Sequence, residues 1–203
     1  MVKFFSERLS VMSQQKEHEF KNLLTATEYQ QLQQAYSFTV PFVQTNLYFD
    51  TATYQLRQLG CGLRIRLFAD HAEQTLKIPG NGDHDLWELT DALPLAIAHK
   101  QKIQQPSQVS EQLRHYQITV DQLQLIGYAQ TKRSQANLSD GLLVLDQTSY
   151  SDQTIDYEIE LEVQNTTATA ATFQNLLARQ QIPQRTVINK VARAQQHFQR
   201  GSK

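Results

Sequence analysis

The chain has little of what several common chemistries require. A single cysteine, Cys61, excludes an intrachain disulfide framework and a Cys-rich zinc site. Six histidines (His18, His71, His84, His99, His115 and His197) show no H-E-x-x-H pairing, so no dedicated zinc motif exists. Only seven glycines occur, and Gly80-x-Gly82 lacks the third glycine of a dinucleotide loop, with Asp85 in its place. Neither G-x-x-x-x-G-K-[ST] nor G-x-S-x-G is found. Charge of one sign is not in excess: 19 Lys+Arg face 20 Asp+Glu, for a net charge of −1. That balance argues against an extended nucleic-acid surface and against an acidic interaction tail. No apolar run approaches the roughly 18 residues of a membrane span, and Met1–Met12 has no apolar signal region. A cytoplasmic protein with no membrane partner is the resulting expectation.

What the chain does have is an apolar content of 40% and 203 residues, ample for a globular core. It also has 30 glutamines, for which we have no physical account. The dominant hydrophobic period is two. Segments 14–22, 42–50, 62–69, 73–79, 84–90, 123–134, 142–148 and 154–163 alternate apolar and polar residues, or are rich in aromatic and β-branched ones, as strands do. Asn81-Gly82 and Ser139-Asp140-Gly141 mark tight turns, and the short connections favour antiparallel pairing. Helices are expected over 26–36, opened by the Thr25/Glu28 capping box, and over 94–103, 108–116, 167–181 and 187–199. Trp87 is expected in the core or at a helix–sheet contact, and Cys61 as an inert thiol where a strand begins. The pattern predicts one α+β domain over 1–203, with its core in 14–198 and a helical insertion at 94–122.

The polar faces of the strands carry the functional signal. Glu17, Glu19 and Lys21 share a face, as do Arg64 and Arg66, and Glu158, Glu160 and Glu162. Lys77, Arg133 and Asp146 fall on the matching faces of their own strands. Residues i and i+2 lie roughly 6.6 Å apart along a strand, so each set forms a rigid row. The charges segregate: cations dominate the middle strands, and carboxylates the first and last. A plain solvated face would mix them with the abundant glutamine. If the sheet curls, opposite charges face one another across a lumen and must pair or bind ions. Clustered Arg and Lys suit a polyanion, and carboxylates beside them suit a hard divalent cation.

The motifs then resemble a known family. Glu17-His18-Glu19-Phe20-Lys21 is similar to the E-x-E-x-K signature of the CYTH superfamily, the triphosphate tunnel metalloenzymes. Residues 47–51 resemble its Y-x-D-T segment, 63–66 its L-R-x-R strand, and 75–77 the next basic strand. Residues 143–146 and 156–162 resemble its acidic strands, and Asn189-Lys190 the start of its terminal helix. The resemblance implies an eight-stranded antiparallel barrel around a tunnel, with helices packed outside. It implies Mg²⁺ or Mn²⁺ held by Glu17, Glu19 and Glu160 with help from Glu158 and Asp146. It implies phosphate contacts from Lys21, Arg64, Arg66, Lys77, Arg133 and Lys190, and catalytic roles for Glu17, Glu19, Lys21 and Glu160. Thr131 stands where some members carry a second basic residue. The activity implied is metal-dependent hydrolysis of inorganic or organic triphosphate. Cyclase chemistry on ATP and non-catalytic binding of polyphosphate or nucleotide are the alternatives, and a homodimer is open.

Overall fold

Alternation sorts each strand into two faces, and the two faces meet different fates. In the computed structural model, which describes residues 13–80, 85–163 and 168–201, eight strands run antiparallel. They are β1 (Ser13–Leu24), β2 (Phe42–Thr51), β3 (Gly62–Leu67), β4 (Ala72–Pro79), β5 (Asp85–Leu93), β6 (Leu123–Leu138), β7 (Gly141–Tyr150) and β8 (Ile155–Val163). Their order, β1-β5-β4-β3-β2-β6-β7-β8, returns to its start and closes a barrel. Closure depends on β1 alone. Its first half, Ser13–His18, pairs with β5, and its second half, Glu19–Leu24, pairs with β8.

The apolar faces point outward and are covered by helices. Leu63, Ile65, Leu76 and Leu93 pack beneath α2 (Gln55–Gln58), α3 (Leu95–Ala98) and α4 (Gln108–His115). Leu143, Leu145, Ile159 and Leu161 pack beneath α1 (Ala26–Ala35) and α5 (Ala170–Arg179). The Thr25/Glu28 capping box forms as its spacing demands. Buried aspartates turn the chain between layers. Asp50, at the end of β2, accepts hydrogen bonds from the backbone N–H groups of Thr51, Leu56 and Arg57, which folds α2 back onto the sheet. Asp91 does the same for α4 through the N–H groups of Gln108 and Val109.

Some expectations change. The helix predicted over 94–103 shortens to Leu95–Ala98, because Gln101 takes a left-handed conformation at φ 56° just beyond it. Trp87 is 39% exposed rather than in the core, outside the cluster that the helices cover. The Asn81-Gly82 turn lies outside the described residues.

The last helix, α6 (Lys190–Gly201), takes a different place from the others. Tyr48, Ala129 and Tyr150 share the inner-face parity, and with Ile126 they form a cluster on Ala194. So α6 seals one end of the barrel instead of covering its side. Its approach is close because β6 carries Gly127 there. A Cβ at that position would lie 3.2 Å from the Ala194 carbonyl carbon and from the Gln195 nitrogen. The Asn189 side chain accepts from the Ala192 N–H at 2.9 Å and caps the helix, which starts it at 190 rather than 187. Gly127→Ala is therefore expected to destabilise the protein by about 1–3 kcal/mol through displacement of α6. Urea unfolding measures this, and an unchanged midpoint would contradict the packing described.

Candidate functional site

Register places the described charged rows read from the sequence on the lumen wall, and they divide into two regions. The first lies on β3–β5. Arg66 is directly opposite Glu73 and donates to it at 3.2 Å, while its Nε donates to Asn46 at 3.1 Å. Lys77 sits opposite Glu88, with Nζ 2.7 Å from the carboxylate, and Arg64 reaches the same carboxylate at 3.6 Å. Burial alone would raise the Glu88 carboxyl, but Arg64 and Lys77 outweigh it and pull it down to about 2. Arg66 is pushed the other way. Burial, then the charges of Arg64 and Arg133, lower it to about 10. This region therefore holds more positive charge than its own carboxylates relieve, and an added anion would stabilise it.

The second region lies on β6–β8 and β1, closed by α6. Arg133 grips Asp146 with two hydrogen bonds, Nε to Oδ1 at 2.8 Å and Nη2 to Oδ2 at 2.6 Å. The same guanidinium reaches Glu160 at 2.9 Å and Glu162 at 3.7 Å. Lys190, in the first turn of α6, contacts Asp146 at 2.6 Å, Glu158 at 3.1 Å and Glu160 at 3.5 Å. Lys21 lies opposite Glu160 in the β1–β8 register and donates to Glu19. Burial works against the Lys21 ammonium, yet Glu160 and Glu19 hold it charged well above the ordinary range.

The carboxylates respond unequally. Burial, followed by the nearby Glu160 charge, pushes Glu158 up to about 7 despite Lys190. Asp146 and Glu160 are also buried, but Arg133 and Lys190 hold both below the usual carboxylate range. Each of the three offers an oxygen within 4.8 Å of the others'. All the donors are hard carboxylate oxygens, and the buried Glu158 Oε1 faces the Lys190 ammonium at 3.1 Å. That donor set fits Mg²⁺ or Mn²⁺ and not a thiolate or imidazole metal. Glu19 is buried in the same region, whereas the side chain of Glu17 lies outside the described residues.

Thus ten of the eleven strand residues singled out from the pattern have described side chains on one inner face: Glu19, Lys21, Arg64, Arg66, Lys77, Arg133, Asp146, Glu158, Glu160 and Glu162. Lys190 joins them from α6. Thr131 meets Thr148 at 3.1 Å and is fully buried, so the missing basic residue is replaced by a neutral hydroxyl pair. Cys61 is buried, and burial raises its thiol pKa, consistent with an inert role. The pattern missed Arg193. It binds Glu158 at 2.5 Å, Asp156 at 2.9 Å and the Tyr150 hydroxyl at 3.1 Å. The signal available was its i+3 spacing from Lys190 on one helix face. Glu73 and Glu88, partners of the basic rows, were missed as well.

The family model for the CYTH domain matches residues 15–194. The chain belongs to the CYTH domain family. Among curated proteins it is 34% identical over 189 residues to "Putative triphosphatase YjbK" of Bacillus subtilis, covering 90% of this chain and 95% of that one. A crystal structure from Bacillus halodurans, described as a "putative adenylate cyclase", superposes with a TM-score of 0.81 at 30% identity, covering 90% and 98%. HpAC1 from Hippeastrum, described as a "putative adenylyl cyclase" with a dominant triphosphatase activity, matches in fold with a TM-score of 0.73 at 21% identity, covering 92% and 95%. CYTH family members are triphosphatases or cyclases. In this CYTH domain, Arg133→Met removes one cation shared by three carboxylates. It is expected to cost about 3–5 kcal/mol of stability, read from urea unfolding. A loss below about 1 kcal/mol would show that the guanidinium is not the keystone its contacts suggest.

Proposed function

We propose that this CYTH domain is a metal-dependent triphosphatase acting on inorganic triphosphate or an organic triphosphate held in the barrel. One observation carries the reading: a cation-rich wall that lowers Arg66 lies in the same lumen as a carboxylate trio of hard-metal character. The name of the YjbK relative and the activity stated for HpAC1 support it. The unit that carries the site is 14–198, with 94–122 as an outer helical insertion.

On this reading Arg64, Arg66, Lys77 and Arg133 hold phosphate oxygens, with Lys21 and Lys190 at the border of the carboxylates. Asp146, Glu158, Glu160, Glu19 and Glu17 would hold Mg²⁺ or Mn²⁺, which when bound supplies a Lewis acid for the phosphate oxygens. Water adds to a phosphorus atom as the bond to the leaving phosphate breaks. The negative charge that develops on the leaving oxygen is then met by fixed guanidinium groups that need not reorganise. Glu19 and Glu160 keep Lys21 protonated, so it stays a donor to phosphate across the working pH range.

A second reading is an adenylyl cyclase, favoured by the description of the Bacillus halodurans structure. One experiment separates the two. The protein is incubated with inorganic triphosphate, thiamine triphosphate or ATP in Mg²⁺ or Mn²⁺, and orthophosphate, pyrophosphate and cyclic AMP are measured. Orthophosphate release that stops with a chelator is expected. Glu160→Gln should lower it about 100-fold, and Arg64→Ala about tenfold to 100-fold. Cyclic AMP from ATP as the main product would favour the cyclase, and chelator-insensitive phosphate release would overturn the mechanism.

A further inference from the structure

The Lys190 ammonium stands inside the carboxylate trio, not beside it. Its contacts, 2.6 Å to Asp146, 3.1 Å to Glu158 and 3.5 Å to Glu160, are to the three residues whose oxygens converge within 4.8 Å. A divalent ion would need those oxygens at about 2.0–2.1 Å for Mg²⁺, in the volume the ammonium fills. Two cations do not share such a space in a buried region, because their repulsion is weakly screened. Lys190 is also tethered. Asn189 caps its helix, Ala194 rests against Gly127, and Arg193 pins the next turn to Glu158 and Asp156. Its backbone is held in place while four side-chain torsions leave the ammonium able to swing.

We propose that Lys190 is an internal counter-ion that occupies the metal cage until triphosphate arrives. This rests on the triphosphatase reading and adds a regulation of the same site. Without substrate, three buried carboxylates need a cation, and Lys190 supplies it. Triphosphate offers the ammonium a new anionic partner on the lumen side, and the carboxylates then take the divalent ion. Metal and triphosphate therefore bind with positive coupling, and by linkage each tightens the other by the same factor. The device keeps the empty barrel from loading with free divalent ions while leaving its buried charges compensated.

The test reads Mn²⁺ binding by electron paramagnetic resonance, with and without imidotriphosphate, a non-hydrolysable triphosphate. In the wild type, imidotriphosphate should tighten Mn²⁺ by about tenfold or more. Lys190→Met should bind Mn²⁺ about tenfold tighter than wild type without the analogue, and lose most of the coupling. Lys190→Arg keeps the charge and should retain weak Mn²⁺ binding alone. Absence of coupling in the wild type overturns the proposal, even if the Met variant fails to fold. So does a Met variant that binds Mn²⁺ no tighter or keeps full coupling, or an Arg variant that behaves like Met. If Mn²⁺ binds in none of these samples, the metal-dependent reading falls as well. If coupling is found but no phosphate is released from any triphosphate, only the hydrolase reading falls.

Discussion

Charge compensation in a buried lumen is the constraint on which this structure depends. Asp146, Glu158, Glu160 and Arg133 are all buried, and each would be untenable alone in a medium of low polarity. Every one of them is held by an opposite charge from a different element: Arg133 from β6, Lys21 from β1, Lys190 and Arg193 from α6. The barrel closes through β1 and is sealed by α6, and these two elements deliver Lys21, Lys190 and Arg193 beside the Arg133 of β6. Closure of the fold and neutralisation of the lumen are thus one event. The chain's net charge of −1 gives no sign of how intensely charged the lumen is.

The two regions of the lumen are neutralised to different degrees. Around Asp146 and Glu160, cations hold those two carboxylates ionised, while burial and the Glu160 charge push the adjacent Glu158 up to about 7. Around Arg64 and Arg66, cation crowds cation and the guanidinium of Arg66 is depressed. Such a pairing suits an elongated anion that carries its own metal: the anion relieves the first wall and the metal relieves the second. Neither half alone would distinguish a triphosphate from a simple phosphate or a bare ion.

Much of this was legible in the strand parity. A period of two puts Arg64 and Arg66 on one face and Leu63 and Ile65 on the other, whatever the topology. The short turn between β6 and β7 then brings Arg133 opposite Asp146, and closure of the barrel brings Lys21 opposite Glu160. The E-x-E-x-K and L-R-x-R wording made the family recognisable. Less legible was whatever depends on tertiary approach. The plug position of α6 rests on Gly127 admitting Ala194, a contact between residues 67 positions apart that no local pattern encodes. Arg193 reads as an ordinary exposed helix residue until α6 is known to enter the barrel. Asp50 was visible as part of a motif, but its contacts, which fasten α2 through the Leu56 and Arg57 N–H groups and hold the Thr51 N–H, became visible only in the fold.

The central claim is that one lumen holds the triphosphate and its metal together, each on its own wall. A crystal structure with imidotriphosphate and Mn²⁺, using anomalous scattering from the metal, tests it most directly. The account predicts a manganese peak among Asp146, Glu158 and Glu160, with phosphate density reaching from it to Arg64 and Arg66. Triphosphate bound on the outer face, or manganese found away from those three carboxylates, would contradict it.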